Sequence, residues 1–243
     1  MNIVTVLIAS TVTALCTGIG AIPLFFIKDV SKRILGIGNA AAAGLMLGAS
    51  IGLIVEGAEY GLVRLGVGIF LGLILIVFAR SWMDGRDEID FGEIQGADAR
   101  KILLILGVMT VHSFAEGIGV GVAFGDGNTF GSFITTAIAI HNIPEGLAIS
   151  LILVPRGVSV MKAAGWSIFS SLPQPIMAIL AFLFVLVFQP FLPIGLGLAA
   201  GAMIWMVFTE LIPDAKEDIS SEWAVTSMGL SMVSMLAFQQ WIS

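Results

Sequence analysis

Apolar residues in this chain gather into eight runs, at 3–27, 34–55, 61–79, 102–125, 130–154, 163–188, 191–209 and 223–242, with short polar intervals between them. A run of about 20 such residues is the length an α-helix needs to cross the hydrocarbon core of a bilayer. Eight of them with tight connections leave no stretch for a folded soluble domain. Composition agrees: 58% of the 243 residues are apolar and 12% are charged, against about 45–50% and 25% in a soluble domain. The sequence therefore predicts an all-α, polytopic membrane protein, one integral domain of eight transmembrane helices. The first run has no basic residue ahead of it, is longer than the apolar stretch of a secretion signal and shows no small-residue cleavage site, so it is expected to remain as a mature helix.

Charge placement orients the bundle. Lys28, Lys32, Arg33, Arg80, Arg86, Arg100, Lys101, Arg156, Lys162 and Lys216 fall in alternate connections, and Arg64 alone lies on the other side. A face holding ten of the eleven basic residues is expected to be cytoplasmic, which puts both termini outside. The longest connection, 80–101, also carries Asp84, Asp87, Glu88, Asp90, Glu93 and Asp98 and reads as a solvated loop, or more sharply as a weak cytoplasmic collector of cations. A net charge of −6 leaves no basic surface for nucleic acid. The single cysteine, Cys16, excludes a disulfide framework and a thiolate-cluster zinc site. Lipid is one partner, and any other has to be sought inside the membrane.

The informative residues lie where charge is least welcome. The fourth run contains His112, Ser113, Phe114, Ala115, Glu116, Gly117, and the fifth contains His141, Asn142, Ile143, Pro144, Glu145, Gly146. These hold both histidines of the protein, each followed by a glutamate four residues on. Residues at i and i+4 share one helical face about 6 Å apart along the axis. Two such helices in an antiparallel hairpin turning near 126–128 could bring four nitrogen and oxygen ligands together. An ionisable side chain at mid-bilayer costs about 2.5–3.5 kcal/mol even on insertion scales. A divalent cation relieves that cost, because two carboxylates neutralise it and neutral imidazoles supply further lone pairs. Metal affinity should then fall with acidity.

Other polar groups are candidates for supporting roles. Gln174, between Pro173 and Pro175 in the sixth run, marks an expected broken turn and offers a neutral oxygen. Ser113 and Asn142, each following its histidine, are placed for a secondary position. Pro144 frees the carbonyl of Ile140, either as a simple kink or as an exposed ligand. Glu56 and Glu59 after the second run, and Glu210 and Asp214 after the seventh, read as solvated helix ends or as vestibule residues near opposite membrane faces. Gly44, Gly48 and Gly52 on the second run, and Gly117, Gly121 and Gly125 on the fourth, form stripes that let helices approach closely, with sliding between bundles as the alternative use.

With these motifs in view, the chain resembles the ZIP transporters of divalent transition metals. The likeness rests on the two His-x-x-x-Glu-Gly motifs in consecutive helices. It extends to Thr17-Gly-Ile-Gly-Ala-Ile-Pro23, to Gln174-Pro175, and to the stretch from Gly201 through Glu210-Leu-Ile-Pro-Asp214. The resemblance implies a binuclear site among the fourth, fifth and sixth helices. His112, Glu116, His141 and Glu145 would form the primary transport site, with both glutamates able to bridge, and Ser113, Asn142 and Gln174 the neighbouring one. Asn is usual where Ser113 stands and an acid is common in the place of Gln174, so the second site here has less charge. The His-rich cytoplasmic loop common among such transporters is replaced by the acidic run.

The resemblance further implies metal uptake toward the cytoplasm by alternating access. Helices one, four, five and six would move against two, three, seven and eight, the second set also forming a homodimer interface. The metal is substrate, with no prosthetic group expected. Zinc is compatible with mixed imidazole and carboxylate ligands, as are iron, manganese, cadmium and cobalt. A bacterial plasma membrane is the expected location. Two other function classes fit the same residues: an intramembrane zinc hydrolase using one glutamate as general base, and a proton or cation channel. The hydrolase lacks a separate oxyanion donor and a His-Glu-x-x-His signature.

Overall fold

A computed structural model describes residues 2–26, 31–84, 90–91 and 94–242. Lys28, Arg86, Asp87, Glu88 and Glu93 lie outside the described residues, and with them half of the acidic residues of the collector suggested by the sequence. Among the described residues the chain is helical apart from short turns and a two-residue antiparallel pairing of β1 (Asp90–Phe91) with β2 (Ile94–Gln95). Among the described residues, six helical stretches are long and apolar enough to cross a membrane: Ile3–Phe25, Lys32–Trp82, Ile102–Gly125, Asn128–Arg156, Val160–Leu183 and Val185–Asp218.

The first stretch comprises α1 (Ile3–Ile19), started by the Asn2 side chain accepting from the Val4 amide at 3.1 Å, and the single turn α2 (Ile22–Phe25). The next helix, α3 (Lys32–Asp84), covers the second and third apolar runs. As a straight rod, its 53 residues would reach about 80 Å, far beyond the hydrocarbon thickness. Gly61 breaks it at φ 146° and ψ 104°, a conformation essentially confined to glycine. The chain reverses there. Gly36, near the start of α3, packs on Ala215 and Asp218, while Arg80 near its other end reaches Glu210, so both ends meet the same part of the molecule.

Helix α4 (Gly96–Asp126) and helix α5 (Asn128–Leu153) are joined by Gly127 alone, at φ 138° and ψ 159°. Pro144 is accommodated without ending α5. After a 3-10 turn, Val154–Arg156, come α6 (Val160–Ser171), capped by Ser159, and α7 (Pro173–Leu183), separated at Leu172 where the Pro-Gln-Pro sequence begins. The short α8 (Val185–Phe188) leads into α9 (Leu192–Met206), a π turn (Val207–Leu211), α10 (Ile212–Asp218) and finally α11 (Ser221–Ile242).

Several element ends differ from the sequence expectation. The 80–101 connection is shorter than expected, because helix continues to Asp84 and resumes at Gly96: polar residues can extend a helix once it has left the hydrocarbon. Glu56 and Glu59 lie on the last turns before Gly61 instead of after a helix. Glu210 sits inside the π turn, which widens the backbone just ahead of Pro213, where an amide donor is missing.

Two groups of helices result. In one, α3 pairs extensively with α9 and α11. Close approach is possible because Gly68 and Gly72 face the carbonyls of Ile194 and Leu198, and Gly44 faces that of Met228. In the other, α4 packs on α7 and α5 on α1, through Gly117 and Gly121 against the carbonyls of Gln174 and Ala178, and Gly146 against that of Thr17. The glycine stripes of the second and fourth runs are thus packing surfaces within each group. A core including Met46, Ile105, Met109, Ile149, Ile152, Met203 and Met206 fills the half of the bundle nearer the 80–101 connection.

Candidate metal centre

Antiparallel pairing of α4 and α5 sets the order of the site. Along α4 the chain climbs from the core through His112 to Glu116; along α5 it descends from His141 to Glu145. Two layers follow, Glu116 beside His141 and, one turn deeper, His112 beside Glu145. Their nearest ligand atoms all lie within 4.8 Å of one another. Relative exposures of 0% for His112, 1% for Glu145, 3% for Glu116 and 7% for His141 rank the layers in the same order.

Glu145 is the hub. Its Oε1 lies 2.7 Å from His112 Nε2 and 2.9 Å from His141 Nε2, while Glu116 Oε1 is 3.4 Å and 3.8 Å from the same nitrogens. Despite these separations, His112 Nε2, His141 Nε2 and Glu145 Oε1 have no hydrogen-bonding partner of acceptable geometry. These ligand atoms converge on a common space. Buried polar atoms are seldom left without a partner, and two carboxylates with two imidazoles are a donor set suited to one divalent transition metal.

A polar chain leads from the site to α1 and α7. Gln174 Nε2 donates a hydrogen bond to Glu116 Oε2. Gln174 Oε1 accepts from Asn142 Nδ2 at 3.2 Å and from the Thr13 hydroxyl at 2.7 Å, and Asn142 Nδ2 also donates to the Thr13 carbonyl at 2.8 Å. Of the suggested secondary group, Asn142 and Gln174 therefore touch, whereas Ser113 Oγ and Asn142 Oδ1 are buried without partners. Thr13 was not singled out in the sequence. Its signal is faint: Ser10, Thr13 and Thr17 are buried hydroxyls at i, i+3 and i+7 of an apolar run. Thr17 meets Ser171 of α6 at 2.8 Å.

A cavity of about 500 Å³ opens above the outer layer. Glu56, Glu59 and Tyr60 of α3, Phe133 and Ala137 of α5, and Gln239 of α11 line it, and it ends on Glu116 and His141. Two of the four vestibule candidates thus stand on a route to the site. The other two do not line it. Glu210 is at the opposite end, paired with Arg80 at 3.3 Å, and Arg80 stacks 5.4 Å above the Trp205 ring; Asp214 follows on α10.

The described residues thus form a polytopic helical membrane protein with a buried imidazole and carboxylate cluster below a cavity. Residues 84–238 match the ZIP zinc transporter family, and the chain belongs to that family. It is 44% identical over 98% of its length to a candidate zinc transporter of Arabidopsis thaliana, of which it spans only 39%. It is 32% identical to zinc transporter ZIPB of Bordetella bronchiseptica, over 82% of this chain and 68% of that one. Zinc transporter GufA of Myxococcus xanthus is 28% identical over 86% and 87%. These relatives are named as transporters and not as enzymes.

Proposed function

We propose that the chain carries a divalent transition metal, zinc foremost, from the extracytoplasmic side toward the cytoplasm through His112, Glu116, His141 and Glu145. The observation that carries this reading is the convergence of four buried ligand groups, of which His112 Nε2, His141 Nε2 and Glu145 Oε1 lack hydrogen-bonding partners. The relatives named as zinc transporters support the choice of ion.

In this reading the two limbs of α3 cross separately, which, with α11, gives eight crossings and both termini outside. The ion enters by the cavity, meets Glu116 and His141, then settles against His112 and Glu145. Two carboxylates balance its charge, so the loaded site is neutral in a low-dielectric interior. Release follows when the group formed by α1, α4, α5, α6 and α7 shifts against α3, α9 and α11, which supply a homodimer interface. Binding stays modest, since a permanently tight cage would store metal instead of passing it.

Radiozinc uptake into vesicles reconstituted with the full chain tests the reading. Glu116→Ala and His141→Ala are expected to abolish saturable uptake while leaving folded protein in the membrane. Unchanged uptake in both variants would falsify the site. Rapid conductance without saturation would instead identify a channel, and substrate cleavage without flux an enzyme.

A further inference from the structure

The two oxygens of Glu116 face different partners. Oε1 points to the imidazoles, at 3.4 Å from His112 Nε2 and 3.8 Å from His141 Nε2, while Oε2 is taken by the side-chain amide of Gln174. That amide is fixed in turn. Its oxygen accepts from Asn142 on α5 and from Thr13 on α1, so the nitrogen is the end left to face Glu116. Gln174 is fully buried, and so are Thr13 and Asn142. An amide NH2 group has only donors and cannot ligate a cation. It stands where a second ion bridged by Glu116 would have to sit.

From this geometry we infer that the chain loads a single divalent cation per site, and that Gln174, locked by Thr13 and Asn142, is a positioning residue that takes the place of a second ion and presents Glu116 through one oxygen. Charge supports the same conclusion. One divalent ion is balanced by Glu116 and Glu145; a second would leave two uncompensated positive charges among neutral groups, Ser113, Asn142 and Gln174, deep in the bundle. Ser113 Oγ and Asn142 Oδ1 are unpartnered there, but two neutral oxygens do not offset a divalent charge. The tie also joins three helices, α1, α4 and α7, with α5 through Asn142, so the ligand Glu116 is held to the elements proposed to move with it.

The inference rests on the proposed transport site, and its test separates the two. Equilibrium dialysis of the full chain in detergent micelles against Cd2+ measures ions bound per chain, and Co2+ absorption reports the ligand field. Wild type is expected to bind one Cd2+. Gln174→Glu, which exchanges the donor for a charged oxygen, is expected to bind a second. Gln174→Met and Thr13→Val should weaken Cd2+ binding about 10- to 100-fold and shift the Co2+ spectrum, and Thr13→Ser, which keeps the hydroxyl, should restore both. Two Cd2+ per wild-type chain, or Gln174→Met and Thr13→Val variants with unaltered affinity and spectrum, would overturn the inference while leaving the site standing. No Cd2+ bound by wild type, or binding undiminished in His141→Ala, would overturn both.

Discussion

Glu145 and Glu116 carry the same charge but are held differently. Glu145 Oε1 sits within 2.9 Å of both imidazoles, whereas Glu116 stands farther off and is anchored from behind by Gln174. Glu145→Gln keeps the shape and removes the charge, leaving a divalent ion with one net positive charge in a buried site. We expect zinc Vmax/KM in vesicles to fall about 100-fold or more, given the several kcal/mol that an uncompensated interior charge costs; wild-type kinetics in that variant would remove Glu145 from the ligand set. The four ionisable residues were legible in the sequence because charge inside apolar runs is expensive and so calls for an explanation. Thr13 was not, and the reason is physical. A hydroxyl in a helix can satisfy itself on a carbonyl one turn back, as Ser50 does on Met46 and Thr135 on Gly131. In sequence, Thr13 looks no different from these. Only the approach of α7 shows that its hydroxyl also lies 2.7 Å from Gln174, beside the Ser10 carbonyl at the same distance.

Helices here meet through glycine, and the consequences differ sharply from one glycine to the next. A Cβ on Gly146 would fall 1.6 Å from the Thr17 carbonyl oxygen, and one on Gly20 2.3 Å from that of Ile143, so α1 and α5 are in backbone contact beside the site. Gly165 on α6 has nothing within 4 Å of the same position. Gly146→Ala is therefore expected to lower stability by about 1–3 kcal/mol through overpacking, read as a lower thermal midpoint in detergent. Gly165→Ala should be neutral or stabilising by up to about 1 kcal/mol. Equal midpoints for the two variants would contradict the packing described. Among the described residues, each helical stretch long and apolar enough to cross a membrane coincides with one or two of the apolar runs, since the bilayer fixes how much apolar chain an element needs. They were not enough to find its ends. The reversal at Gly61 falls where the second run gives way to the third, whereas the π turn holding Glu210 is a change of backbone geometry that hydropathy does not register.

At the scale of the whole molecule, the site is open on one side and closed on the other. The 500 Å³ cavity reaches Glu116 and His141 from the end bearing Glu56 and Glu59, while the Met- and Ile-rich core packs beneath His112, with Met109 2% exposed. If the basic face is cytoplasmic, this is an outward-facing arrangement. Passage then requires contacts between the two helix groups, such as Leu151 against Gly38 and Ala115 beside Gly195, to part while the glycine contacts within each group persist. Cysteine accessibility resolves both points in a Cys16→Ala background. A cysteine at Ala137, on the cavity wall, should react with a membrane-impermeant maleimide added outside and, once modified, block zinc entry. One at Met109 should stay unreactive from either side at rest and gain reactivity from the cytoplasmic side only while a zinc gradient drives turnover. Labelling at Ala137 solely from the cytoplasm would invert the orientation. Equal labelling at Met109 with and without zinc would mean that the core beneath His112 is not the barrier that opens.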